Sequence, residues 1–309
     1  MQADRTTFSS IWPWRPRVVI LALLCLAAWT PVLEAQNSPK FQRTEDVIYG
    51  RKFGIALTLD VFRPANANGK AVILLVSGGW YSSHDAINPG FLIPFLDHGY
   101  TVFAVVHGSQ PKFDITEIVP DIHRAVRFIR YSAGRFEIDP GHLGLIGASA
   151  GGHLTLTLAT QGGSGKPDAK DPVDRESSAV QAAVAFFPPT DFLNYGQDGV
   201  DAVGVGPLKD FRGAFGPRAA SAEGRLQLGR EISPINFVHP GMPPILIFHG
   251  DADKLVPIQQ ANLFVAKCES VHSPVKLIVR EGKGHGWPEI GQDLKIAADW
   301  FDQQLPSKQ

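Results

Sequence analysis

Leu143-Gly144-Leu145-Ile146-Gly147-Ala148-Ser149-Ala150-Gly151-Gly152 is an apolar run that leads directly into Gly-x-Ser-x-Gly. An apolar run of this length, bounded by glycine, reads as a buried strand, and His153-Leu154-Thr155-Leu156-Thr157-Leu158-Ala159 beyond it can continue as a buried helix. A serine between the two sits on a tight strand-to-helix turn that lifts its hydroxyl off the end of the sheet. Such a turn brings the backbone before and after the serine together, so the residues two before and two after must be very small. Gly147 and Gly151 fill those places. A bare Gly-x-Ser-x-Gly also fits a glycine-rich turn with an idle serine, so the rest of the chain has to decide.

Two downstream segments do so. Pro244-Ile245-Leu246-Ile247-Phe248-His249-Gly250 reads as a second buried strand and runs into Asp251-Ala252-Asp253-Lys254. Val275-Lys276-Leu277-Ile278-Val279 reads as a third, followed by Glu281-Gly282-Lys283-Gly284-His285-Gly286-Trp287. An acid after one strand and a histidine after the next give the chain order Ser, Asp, His expected on an α/β-hydrolase sheet. The chemistry requires all three groups. A serine hydroxyl is a weak nucleophile, a histidine removes its proton, and a carboxylate fixes the imidazole tautomer and stabilises the imidazolium. Asp251 competes with Asp253 for the acid's place, since a carboxylate this close to a strand end often caps a turn.

The alternation of strand and helix after an initial hairpin near residues 45–62 predicts a mostly parallel eight-stranded sheet with helices on both faces. Ile118, Ile122, Ala125, Val126 and Ile129 mark one amphipathic helix, with Pro120 placed in its first turn. Leu294, Ala297, Ala298 and Phe301 mark the last helix. No internal repeat or linker divides residues 36–309, and a chain of this length buries a large core without staples. The 193–233 stretch, punctuated by eight glycines, is the place for a lid or for a plain surface excursion.

From about Thr44 to Leu305 the chain resembles the α/β-hydrolase superfamily, in its bacterial esterase branch similar to hormone-sensitive lipase and to the feruloyl and acetylxylan esterases. The segments that carry the resemblance are Leu57–Pro64, Ser77–Trp80, Asp121–Ala159, Pro188–Asp191, Ser233-Pro234 and His249–Pro257. It implies a serine carboxylic-ester hydrolase with Ser149 as nucleophile, Asp253 as acid and His285 as base. The chain departs from the family in one loop. Where relatives carry His-Gly-Gly before the tryptophan, this chain reads Val76-Ser77-Gly78-Gly79-Trp80. That loop supplies backbone N–H donors to an oxyanion, so loss of the histidine need not abolish it. With Ser77 in the histidine's slot Gly78 and Gly79 donate; with Val76 there, Ser77 and Gly78 do. Ala150, next after the nucleophile, supplies the further donor. A second departure is His107-Gly108-Ser109-Gln110-Pro111, where relatives often place Tyr-Arg; His107 and Gln110 could line the site, and a loop with satisfied polar residues fits at least as well. Trp80 and Trp287 flank the three catalytic types in sequence and are natural walls for an acyl or aromatic group, with core packing an equal alternative for each.

Arg15 and Arg17 precede the apolar run Val18–Trp29, and Leu33-Glu34-Ala35 offers a cleavage site, so residues 1–35 read as a signal peptide and the protein as secreted or periplasmic. The run falls short of the ~20 apolar residues of a membrane span, although an uncleaved anchor is the alternative. Removing that segment takes three arginines and two acids from 29 basic and 30 acidic residues, leaving 26 against 28. This balance suggests neither nucleic acid nor anionic lipid as a partner. Cys268 is then the single cysteine, and its spacing from Ala261, Phe264 and Val265 makes it a core thiol.

No metal and no cofactor are expected. The ten histidines are scattered, without His-Glu-x-x-His or paired cysteines, and no Gly-Lys-Ser/Thr follows the glycines. The expected partner is a small-molecule or carbohydrate ester: acetyl, feruloyl, short aliphatic and sugar esters all stay open. Two other readings share the fold. One is a peptidase of the prolyl-oligopeptidase type, for whose propeller there is no room here, and the other is a catalytically silent binding protein.

Overall fold

Four consecutive strands of the sheet are apolar at nearly every position, which is possible only where both faces are covered. The computed structural model describes residues 41–306, and the segment read as a signal peptide lies outside them. The strands are β1 (Phe41–Lys52), β2 (Ile55–Pro64), β3 (Ala71–Val76), β4 (Thr101–Val106), β5 (Leu143–Ala148), β6 (Ala182–Phe186), β7 (Ile245–Gly250) and β8 (Val275–Arg280). They form one eight-stranded sheet in the order β1-β2-β4-β3-β5-β6-β7-β8. β1 and β2 form a hairpin whose two turn residues, Phe53 and Gly54, have φ of 47° and 78°. That pair of positive angles gives the tight turn whose twist matches the strands. β2 also runs antiparallel to β4, and all remaining pairs are parallel.

The helices are α1 (Pro89–Asp97), α2 (Ile115–Tyr131), α3 (Ala133–Phe136), α4 (Ala150–Gln161), α5 (Ala222–Ile232), α6 (Gln259–Ser270) and α7 (Ile290–Gln304). α1 and α7 pack Leu92, Phe95, Leu294 and Phe301 on one face of the sheet. α2, α4 and α6 pack Ile122, Val126, Leu154 and Phe264 on the other. Cys268 lies in that second layer as a free, buried thiol, and burial pushes its pKa up to about 12. Such a thiol is inert at neutral pH.

α2 starts earlier than its apolar spacing suggests. Asp114 accepts from the N–H groups of Thr116 and Glu117, and the Glu117 carboxylate returns to the Asp114 N–H, which makes a capping box. Pro120 is therefore the sixth helical residue rather than a first-turn residue, and the bond its N–H would make to the Thr116 carbonyl is absent.

The 193–233 stretch is ordered and folded onto the body. It makes two short 3₁₀ segments, Gly206–Phe215 and Pro217–Ala220, before α5. Val203, Leu208, Ala214, Phe215 and Leu228 are buried with the α2/α4 layer. Among the described residues no helix is long and apolar enough to cross a membrane.

Candidate active site

β5 delivers Ser149 to the centre of the sheet's C-terminal edge. Its backbone sits at φ 55°, ψ −119°, a strained setting for any residue with a Cβ, which costs on the order of 1–3 kcal/mol. Neighbouring strands hold it there: the Ser149 N–H donates to the Phe186 carbonyl of β6 at 2.9 Å. The small flanking residues are obligatory. A Cβ at Gly147 would collide with the Gly151 carbonyl, and one at Gly151 would lie 2.7 Å from the Leu75 carbonyl of β3.

Asp253 and His285 arrive from the ends of β7 and β8. His285 Nε2 lies 2.8 Å from Ser149 Oγ, and His285 Nδ1 lies 2.8 Å from Asp253 Oδ2. With the Nδ1 proton donated to the carboxylate, Nε2 is left to accept from the serine hydroxyl. Asp253 is itself fixed, because its Oδ1 accepts from the N–H groups of Leu255 and Val256 at 2.9 and 3.0 Å. Burial works against its charge, but the bonds from His285, Val256 and Leu255 outweigh it and hold the carboxyl below its ordinary pKa. Asp251 points elsewhere and caps the adjoining turn, its Oδ1 accepting from the Gly282 N–H at 2.6 Å. The Phe187 ring, 4.5 Å from the His285 ring between centroids, supports the imidazole from one side.

The Ser77–Trp80 loop differs from either register expected for the oxyanion donors. The Gly78 N–H donates to the Tyr81 carbonyl and the Tyr81 N–H donates back to Gly78, both at 2.9 Å. The loop closes on itself and Gly78 is withdrawn as a donor. Gly79 and Trp80 form the turn, with φ of 55° and 60°. Their N–H groups and that of Ala150, at the first turn of α4, make no hydrogen bond within the described residues. A helix N-terminus and a nearby turn with free N–H groups suit a developing negative charge. Gln110 steadies the loop: its N–H donates to the Trp80 carbonyl at 3.2 Å and its side-chain amide to the Gly79 carbonyl at 3.3 Å. Phe211 of the 193–233 stretch lies over the same turn, so close that a Cβ at Gly79 would come within 2.5 Å of its ring.

Neither tryptophan is an open wall of the site. Trp80 is 2% exposed and packed among Phe192, Phe211 and Phe215. Trp287 is 7% exposed, lies against Phe186 and Phe187, and donates its Nε1–H to Asp293 at 2.6 Å. Each indole found a core niche with an acceptor for its one N–H. His107 is likewise buried, with Nδ1 against the Gly108 carbonyl at 2.6 Å.

One residue that sequence reasoning passed over links these parts. His153, fully buried on α4, accepts from Trp80 Nε1 on its Nδ1 at 3.1 Å and donates from Nε2 to the Ile232 carbonyl at 2.8 Å. Its N–H donates to the Ser149 carbonyl at 2.9 Å. A single neutral imidazole thus joins α4, which follows Ser149, the Gly78–Tyr81 turn and the end of α5. Its place four residues past the serine was visible, but its partners stand 73 and 79 residues away.

Burial lowers the pKa of His153, His107 and His123 to about 4 in each case. Unfolding returns each to an ordinary histidine near 6.5, where the unfolded chain binds the proton first. Their contribution is therefore complete above that value and is lost progressively as pH falls from 6.5 toward 4. At most it amounts to about 3 kcal/mol each, a large share of a typical stability of ~5–15 kcal/mol. Denaturant melts at pH 7.5 and 4.5 should show a loss of several kcal/mol; equal midpoints and slopes would contradict neutral burial of these rings.

Residues 59–268 match the BD-FAE family, a span that takes in Ser149 and Asp253 and stops short of His285. The probable carboxylic ester hydrolase LipM of Mycobacterium tuberculosis is 28% identical over 234 residues, covering 73% of this chain and 52% of LipM. An acetylxylan esterase of Xylanibacter ruminicola is 34% identical over 100 residues, 32% of this chain and 21% of that enzyme. Among solved structures, a truncated carbohydrate esterase from gut microbiota superposes with a TM-score of 0.74 at 25% identity, covering 87% of this chain and 99% of that one. The chain spans about half the length of LipM and of several other curated relatives it matches.

Proposed function

The chain belongs to the BD-FAE family of α/β-hydrolase esterases, and from that premise we propose that it is a secreted serine esterase acting on short-chain or small aromatic carboxylic esters, carbohydrate esters among them. The observation that carries the mechanism is the unbroken hydrogen-bond chain from Asp253 through His285 to Ser149. Ser149 Oγ attacks the ester carbonyl carbon while His285 Nε2 takes its proton. The carbonyl oxygen becomes an oxyanion facing the N–H groups of Gly79 and Ala150, with Trp80 N–H beside them. The tetrahedral centre collapses to an acyl-enzyme as His285 returns the proton to the departing alcohol. Water then repeats the sequence, and the acid leaves. Asp253 holds the neutral imidazole in the accepting tautomer and stabilises the imidazolium between the two proton transfers.

The carbohydrate class is supported by what the acetylxylan esterase and the gut carbohydrate esterase are named for. Export is supported by the basic and apolar segments before residue 36. A screen of the purified protein over acetylated xylan, feruloyl esters and aliphatic esters tests the substrate class, and the N-terminal residue of protein recovered outside the cytoplasm tests export.

Apart from the exposed Leu226, the 193–233 stretch turns its large apolar residues inward, so it offers no long apolar surface for a fatty chain. Activity should peak on acetyl to butyryl or small aromatic acyl groups and decline for long ones, since each further methylene gains its ~0.8 kcal/mol only where it is buried. A kcat/KM that climbs steadily to palmitoyl esters would make the protein a lipase.

A further inference from the structure

A cavity of about 240 Å³ opens between Gly78, next to the Gly79 donor, and Ala148, next to Ser149. It descends along the sheet face that α1 and α7 cover. Leu74 and Val76 of β3 line one side, Ile146 of β5 the other, and Phe91 and Leu294 close it from the two helices. From Ala148 to Ile146 is two residues of strand, so the depth is about 7 Å. A larger hollow of about 650 Å³ lies beside Phe41, Ile93 and Leu96, but it touches neither the triad nor the oxyanion loop.

We propose that the cavity beneath Gly78 and Ala148 is the acyl subsite and that it takes a small apolar acyl group, of about butyryl length or a single aromatic ring. The inference rests on the esterase reading and adds to it which part of the ester goes where. Size supports it: a void of about 150 Å³ holds a benzene molecule, and this one is somewhat larger but shallow. Its chemistry decides between the two halves of the substrate. Apart from Ser77 and Asn88 the lining side chains are apolar. A sugar alcohol brought into it would lose water from its hydroxyls without gaining partners, whereas an alkyl or aryl acyl group loses nothing polar. Position agrees as well. Ser149 and Gly79 do not themselves line the cavity, but their chain neighbours Ala148 and Gly78 do, so an acyl group on Ser149 Oγ, its carbonyl oxygen toward the Gly79 and Ala150 N–H groups, has this apolar space one residue away.

Two variants away from the triad test this. Phe91→Ala enlarges the cavity where α1 closes it, and Ala86→Trp, at an exposed lining position, narrows it. Thermal melts establish that each is folded. kcat/KM is then measured on p-nitrophenyl esters from acetate to octanoate, and in parallel on acetates of different alcohols. The wild type should gain about fourfold per added methylene up to butyrate and then fall off. Phe91→Ala should move the maximum to hexanoate or longer. Ala86→Trp should lower the butyrate-to-acetate ratio by about tenfold, the loss of nearly two buried methylenes. Neither should reorder the alcohols. A change in alcohol preference without a change in acyl preference would overturn the assignment, as would identical acyl profiles in all three proteins. Failure of the wild type to hydrolyse any ester in either series would instead remove the esterase reading, and the subsite with it.

Discussion

In the Ser149→Ala variant kcat should fall by on the order of 10⁵–10⁶ while the fold is retained, because the members of such a triad act as a unit. The structure explains both halves of that result. Among the described residues Ser149 Oγ has a single hydrogen-bond partner, His285 Nε2, so its removal leaves no buried group unsatisfied. Alanine keeps the Cβ and meets the same strained φ of 55°, so the turn is no worse accommodated than before. Rate measurements on a chromogenic ester, alongside a thermal melt, give the two numbers. An organophosphonate should label Ser149 and no other serine, as peptide mass analysis would read directly. Retention of even a tenth of the activity would place the chemistry elsewhere.

Replacing Asp253 by Asn should lower kcat by roughly 10⁴, whereas Asp251→Asn should change it only a few-fold. The two aspartates stand two residues apart on one loop and do different work. Asp253 faces the His285 Nδ1–H, and an amide NH₂ in that place would oppose it, favouring the tautomer that carries its proton toward Ser149. Asp251 accepts only from the Gly282 N–H, a turn contact that an asparagine oxygen can also make. Since His285 and the backbone hold the Asp253 carboxyl below its usual range, it stays charged well into the acid, and the acid limb of the rate profile is not its own titration. The reverse ranking of the two variants would move the acid two residues back along the loop.

What was legible before the structure, and what was not, divides along physical lines. The strands and their parallel order could be read because double-faced burial demands unbroken apolar runs, as in β5 and β7. Gly147 and Gly151 could be read because a backbone collision forbids anything larger there. The oxyanion donors were less accessible. Gly78 is taken out by its bond to Tyr81, and that depends on Trp80 adopting φ 60°, a conformation its residue type does not announce. The position of Trp80 and Trp287 beside the triad in sequence fits a substrate wall and core packing equally, and indoles with an acceptor at hand bury readily, as both do. α2 began a turn early because its start is dictated by polar caps outside the apolar period. The cavity beside Ala148 had no local signature, for it is closed by Phe91 and Leu294, about two hundred residues apart.

The imidazole of His153 makes the 193–233 stretch non-modular. In a fold where loops after strands are the usual currency of divergence, this one would look like a cassette to exchange for a longer lid. Here its last helix ends on a carbonyl that His153 grips, and its Phe211 lies on the turn that carries the oxyanion donors. An engineer who grafted a foreign lid between β6 and Ser233 would free the far side of that ring and uncover Gly79 at one stroke. Selection for a new substrate along this route must change Trp80, His153 and the incoming segment together, so that diversification by single steps is more open along the α1/α7 face than over the top of the sheet.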